Sequence, residues 1–270
     1  MFGSATAGFR YARRSQNCPP MLPDFSPAAW AALTVGAVFT GMAKTGLPGL
    51  GILVVVLIAH IVGDVRQSAA MQLPLLCLAD LFGVWWFRRH AQVGRLWELA
   101  PWVLVGLVIG AATLLLHTTW LKPMLGVIVL AMIALTMLRR WRGDPQPGPR
   151  WSAGMGALTG FSTTVANAAG PVMNLYLLAR RLPKSEFLAT GAWFFLVINL
   201  AKIPVYAAQP VLGGDPMFTS QGLLADLILA PMVVVGALIG RQVSNALPQA
   251  WFDGSVLALS AIGAASLLWW

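Results

Sequence analysis

Two stretches of the sequence carry residue types suited to holding a small anion. The first reads Thr40-Gly41-Met42-Ala43-Lys44-Thr45-Gly46-Leu47-Pro48-Gly49-Leu50-Gly51. Lys44 lies within an apolar region, where a charge costs roughly 2.5–3.5 kcal/mol on insertion scales. A residue placed there at such a cost usually faces a cavity. Lys44, Thr45 and the backbone amides of Gly46, Gly49 and Gly51 form a candidate anion-binding set. Alternatively, Lys44 snorkels from a helix end to the membrane interface. The second stretch reads Thr159-Gly160-Phe161-Ser162-Thr163-Thr164-Val165-Ala166-Asn167-Ala168-Ala169-Gly170-Pro171 and holds no charge. Ser162, Thr163, Thr164, Asn167 and Gly170 offer hydroxyls, an amide and open backbone to oxyanion oxygens. Alternatively, the polar side chains bond their own backbone or neighbouring helices.

Three more polar residues interrupt apolar runs. Asp80 lies in Leu76-Cys77-Leu78-Ala79-Asp80-Leu81, and Asn199 and Lys202 lie in Val197-Ile198-Asn199-Leu200-Ala201-Lys202. Asn199 and Lys202 are three residues apart and share a helix face. Asp80, Asn199 and Lys202 are candidates for lining a cavity or coupling transport to protons. An Asp80–Lys202 ion pair holding two parts of the fold together is the structural alternative. His60, His90 and His117 are scattered and have no metal-ligand spacing. Ser/His/Asp triads, GxSxG, Walker and HExxH motifs are absent. Neither an enzyme nor a cofactor is expected.

The elements that position these residues follow from composition. Of 270 residues, 58% are apolar and 10% charged, against about 25% charged in soluble domains. A soluble surface, a disordered chain and a disulfide framework built on Cys18 and Cys77 are all excluded. A multi-spanning membrane protein remains, with the lipid bilayer as its solvent. The net charge of +9 sits in short clusters between apolar runs, which orients a membrane protein and does not suggest nucleic acid.

Apolar segments fall at about 27–44, 50–63, 67–87, 99–117, 121–138, 151–166, 170–180, 187–208, 222–240 and 249–269. Segments 50–63 and 170–180 are too short to span alone and follow the two breaks. The halves repeat: at an offset of 119, Gly41 falls on Gly160, Gly51 on Gly170 and Asp80 on Asn199. At an offset of 130, Pro101, Gly106 and Gly110 fall on Pro231, Gly236 and Gly240. The last two pairs of glycines are small-xxx-small faces for close helix packing. The organisation expected is a polar tail over 1–26, a first repeat over 27–138, a cytoplasmic linker over 139–150 and a second repeat over 151–270. The fold class is all-α, two inverted five-segment repeats with about 8–10 transmembrane segments and a broken or re-entrant helix in each half. Cytoplasmic clusters are Arg88, Arg89 and Arg95; Arg139, Arg140, Arg142 and Arg150; Arg180, Arg181 and Lys184; and Arg241. The basic tail, with Arg10, Arg13 and Arg14, opposes that orientation.

The runs Phe39 to Gly51, Gly156 to Gly160 and on to Gly170-Pro171 resemble the sulfite exporter TauE/SafE family of prokaryotic permeases. The polar helices that follow, Gln67 to Phe87 and Ser185 to Tyr206, are also similar. The resemblance implies transport of a sulfur-containing anion: sulfite, sulfoacetate or a related sulfonate. The function expected is a secondary transporter, an exporter, in a bacterial inner membrane. A passive anion channel and an accessory membrane subunit are the alternatives. Partners expected are the small anion, the bilayer, protons as coupling ion and a second copy of the chain.

Overall fold

The computed structural model describes residues 25–113, 148–166 and 169–266, with isolated positions between 127 and 142. Most of the tail, most of the fifth segment and of the linker, and Asn167 lie outside the described residues. Among the described residues there are helices and no strands. They are α1 (Pro27–Thr45), α2 (Leu50–Val62), α3 (Val65–Phe87), α4 (Val93–Thr113), α5 (Pro149–Ala166), α6 (Ala169–Ala179), α7 (Lys184–Ala207), α8 (Ser220–Ala246) and α9 (Gln249–Ser266).

Helix ends follow local chemistry. Ser26 caps α1 by accepting from the Ala29 amide at 3.2 Å, and Pro27 opens its first turn. Asp64 caps α3 through the amides of Arg66 and Gln67. Gly63, at φ 76°, ends α2 in the left-handed conformation that glycine tolerates. Among the described residues four stretches are long and apolar enough to cross a bilayer: Arg66–His90, Val93–Thr113, Lys184–Ala207 and Ser220–Ala246. The short helices α2 and α6, of 13 and 11 residues, reach only about 20 and 16 Å at ~1.5 Å per residue. A bilayer core is about 30 Å thick, so neither spans it. The chain is an integral multi-pass membrane protein.

Two boundaries move outward from those expected. Helix α4 begins at Val93, and Arg95 and Glu98 pair across its first turn at 3.8 Å. Helix α8 runs to Ala246, so Arg241 is helical, and its guanidinium lies 5.0 Å from the Trp86 ring.

Helix packing is closest between α1 and α8 and between α4 and α5. Both contacts are made by glycine. A Cβ at Gly41 would strike the backbone of Val233 and Ala237, and one at Gly236 the backbone of Val38. Likewise a Cβ at Gly160 would strike Val103, and one at Gly106 would strike Ala157. The two sets match position for position, since 41 and 38 lie 119 before 160 and 157, and 103 and 106 lie 130 before 233 and 236.

Helices α3 and α7 cross antiparallel. Leu73 clusters with Tyr206, Asp80 meets Asn199, and the Cα of Gly83 faces Ala192. Just beyond α3, the Gln92 amide donates to Thr190 Oγ1 at 3.0 Å and its side chain to Glu186 at 2.9 Å.

Arg88, Arg89, Lys184 and Arg241 gather at one end of the bundle, while Arg66 stands at the other beside Asp215. Lys184 Nζ donates to the carbonyls of Ser244 and Leu247 at the end of α8. Arg180, expected among loop charges, is buried instead, at 2.6 Å from both Glu98 Oε1 and Ser152 Oγ. Glu98 and Ser152 meet at 2.6 Å, so α4, α5 and α6 are tied together there by an acid that offsets the arginine.

Gly160→Ala is expected to lower the melting temperature in detergent, because overpacking costs ~1–3 kcal/mol. Gly154→Ala on the same helix, where a Cβ meets nothing within 4 Å, should melt unchanged or slightly higher.

Candidate functional site

The break between α1 and α2 meets the start of α6 at a small cavity of about 60 Å³. At roughly 15 Å³ per water it has room for about four waters. That is the scale of a compact anion, not of a drug-sized ligand. Its polar lining is Lys44, Thr163, Asn174, Asn199 and Lys202. The rest is apolar or backbone: Ala43, Pro48, Gly49, Gly51, Ile52, Val55, Leu76, Gly170, Pro171 and Phe195.

Glycine shapes the break. Gly49 sits at φ 120°, a region that side chains rarely adopt, and lets the chain turn back into α2. Its Cα faces Leu259 of α9, so the turn is also pinned from behind. The N-termini of α2 and α6 therefore both abut the cavity, through Gly49 and Gly51 on one side and Gly170 and Pro171 on the other. Helix N-termini carry partial positive charge and favour anions.

Many lining residues fall in pairs 119 positions apart: Lys44 and Thr163, Gly51 and Gly170, Ile52 and Pro171, Val55 and Asn174, Leu76 and Phe195. Asn199 lines the cavity, and Asp80, 119 residues before it, lies directly behind it. Corresponding positions thus face one another with different chemistry.

The charges are arranged asymmetrically. Lys44 Nζ is 2.9 Å from Asp80 Oδ1, and Asn199 Nδ2 donates to Asp80 Oδ2 at 2.7 Å. Asp80 itself is fully buried. The Lys44 ammonium also lies 3.8 Å from the centroid of the Phe195 ring, a cation–π contact. Lys202 is fully buried and donates to Thr163 Oγ1 at 3.2 Å. The site thus holds two lysines and one carboxylate, so with all three ionised it carries an excess positive charge.

The ion pair differs from the expected Asp80–Lys202 pair. At Gly83 the missing side chain lets the end of α1 approach α3, with the Lys44 carbonyl 3.1 Å from where a Cβ would stand. Lys44 is thereby brought to Asp80. Lys202, one turn from Asn199, turns to Thr163 of α5 instead. Lys44 does not snorkel out; its side chain is only 11% exposed.

Of the other expected site residues, four are not among those lining the cavity. Thr45 Oγ1 donates to the carbonyls of Gly41 and Ala237. The Gly46 amide donates to Met42 O at 2.8 Å, and its Cα packs on Gly240. Ser162 and Thr164 donate to Thr159 O and Gly160 O one turn back. Asn167 lies outside the described residues. Among the described residues no group of three or more His, Cys, Asp or Glu is placed to hold a metal.

Sequence reasoning missed Asn174 and Phe195. Asn174 is a lone amide in a short apolar helix, and Phe195 is one aromatic among many. The signal that could have found them is the offset of 119, which carries Val55 to Asn174 and Leu76 to Phe195.

No curated protein and no solved structure matches the chain. A family model described as sulfite exporter TauE/SafE matches residues 32–267. That stretch contains every described residue of the cavity, and the chain belongs to the sulfite exporter TauE/SafE family of membrane permeases.

Proposed function

We propose that the chain is a secondary transporter that exports a small sulfur-containing oxyanion, such as sulfite or an organosulfonate, across a bacterial inner membrane. The observation that carries this is the cavity where Lys44 and Lys202 meet two helix N-termini, with Asp80 as their only close carboxylate among the described residues. Such a site attracts an anion and repels a cation. The family supplies the chemical class of substrate.

Alternating access needs two halves that can rock about a central site. We take these halves to be inverted repeats, before and after the linker at 139–150. Support comes from the antiparallel crossing of α3 and α7, from the matched glycine contacts of α1 with α8 and α4 with α5, and from a cavity lined by positions 119 apart. The end that gathers Arg88, Arg89, Arg181, Lys184 and Arg241 is then cytoplasmic.

Protons are the proposed coupling ion. A bound anion competes with Asp80 for Lys44. Once Lys44 turns to the anion, a buried carboxylate loses its counter-charge, and a proton is the replacement that the interior tolerates.

In proteoliposomes, sulfite flux should saturate, and Lys44→Ala should lower it at least about 10-fold, the low end of what hydrogen bonds to charge contribute. Unchanged flux in Lys44→Ala would remove the site. Flux that never saturates would make the protein a channel. The Asp80→Asn variant should keep measurable sulfite binding while flux loses its dependence on a pH gradient. A gradient dependence like that of the unaltered protein would exclude Asp80 as the proton carrier.

A further inference from the structure

Asn174 stands in the second turn of α6 and is 2% exposed. Its side chain lines the cavity beside Lys44 and Lys202. Its Nδ2, which carries two hydrogen-bond donors, has no partner. An unsatisfied buried amide is costly, and in a folded protein it asks for a reason.

Packing does not supply the reason. The position 119 residues earlier, Val55, lines the same cavity and fills its place with methyl groups. Leucine and asparagine are close in size, so an apolar residue would fit α6 without the cost. Among the described residues, Gln72, Asp226 and Ser260 also hold buried polar atoms without partners, but none of them lines this cavity. Of these four, Asn174 is the one that lines the anion cavity.

We propose that Asn174 is a ligand-binding, specificity-determining residue, whose amide donates to an oxygen of the bound oxyanion. This rests on the anion site proposed above and adds a chemical distinction. Lys44 and Lys202 attract any small anion by charge. The amide adds a directional donor from the opposite helix, α6. A multi-oxygen anion can accept from it while other oxygens accept from the ammonium groups. A single halide ion, held on the ammonium groups, gains little from it. Asn174 therefore favours oxyanions over chloride.

The test is calorimetric titration of the purified full chain with sulfite, in the presence and absence of chloride, together with thermal melting in detergent. Asn174→Leu should weaken sulfite binding about 10- to 100-fold and leave competition by chloride nearly unchanged. Its melting temperature should hold or rise, because the unpaired amide is gone. Loss of binding together with a lower melting temperature would assign Asn174 a structural role and overturn the proposal. Unchanged sulfite affinity in the folded Asn174→Leu protein would also overturn it, leaving the anion site itself in place. Asn174→Asp keeps the shape and sets a carboxylate against the anion, so sulfite binding should fall further; binding equal to that of the unaltered protein would contradict the proposal. If the unaltered protein binds neither sulfite nor chloride, the anion site fails and this inference with it.

Discussion

The ion pair between Lys44 and Asp80 is the interaction on which the rest of the site depends. It joins the end of α1 to the middle of α3, and Asn199 extends it to α7. Neither charge could remain alone within the bilayer at acceptable cost. Paired, they draw the α1–α2 turn to the crossing of α3 and α7. That approach depends on Gly83, which leaves room for the Lys44 carbonyl against α3. A carboxylate shared between an ammonium and an amide is also a group that an incoming anion can displace. In the proposed mechanism the same pair both fixes the site and gives it a response to a bound anion.

Glycine sets the architecture around that pair. Helices α1 and α8, and α4 and α5, touch backbone to backbone at Gly41, Gly236, Gly160 and Gly106. Water does not drive helices together in lipid, so close packing of this kind must do so. Near these contacts Thr164 turns its hydroxyl to a carbonyl of its own helix, and Thr45 turns its hydroxyl to carbonyls of α1 and α8. Just after Thr45 the chain becomes irregular, and irregular backbone at membrane depth is tolerated only where protein or a cavity surrounds it. Both short helices start at that cavity.

Much of this was legible in the sequence, for a physical reason. Charges are so costly in lipid that Lys44, Asp80 and Lys202 stood out within apolar runs. The glycines at 41, 106, 160 and 236 were legible through their repeat. What the sequence did not disclose was decided by crossing geometry. The partner of Asp80 is Lys44 and not Lys202, because α1 reaches α3 at Gly83. Thr45, Ser162 and Thr164 looked like ligands by type, yet a hydroxyl on a helix can always bond one turn back, and these do. Arg180 looked like a loop charge until Glu98 and Ser152 enclosed it. Asn174 gave no local pattern at all. Only its exchange for Val55 at the matching position marks it.

The central claim is that an oxyanion sits where Lys44, Lys202 and Asn174 converge. A crystal structure of the full chain with selenite, read from the anomalous signal of selenium, tests this most directly. The account predicts one selenium peak inside the cavity, within hydrogen-bond reach of those three side chains. A cavity without selenium, in crystals that bind it elsewhere on the chain, would contradict it.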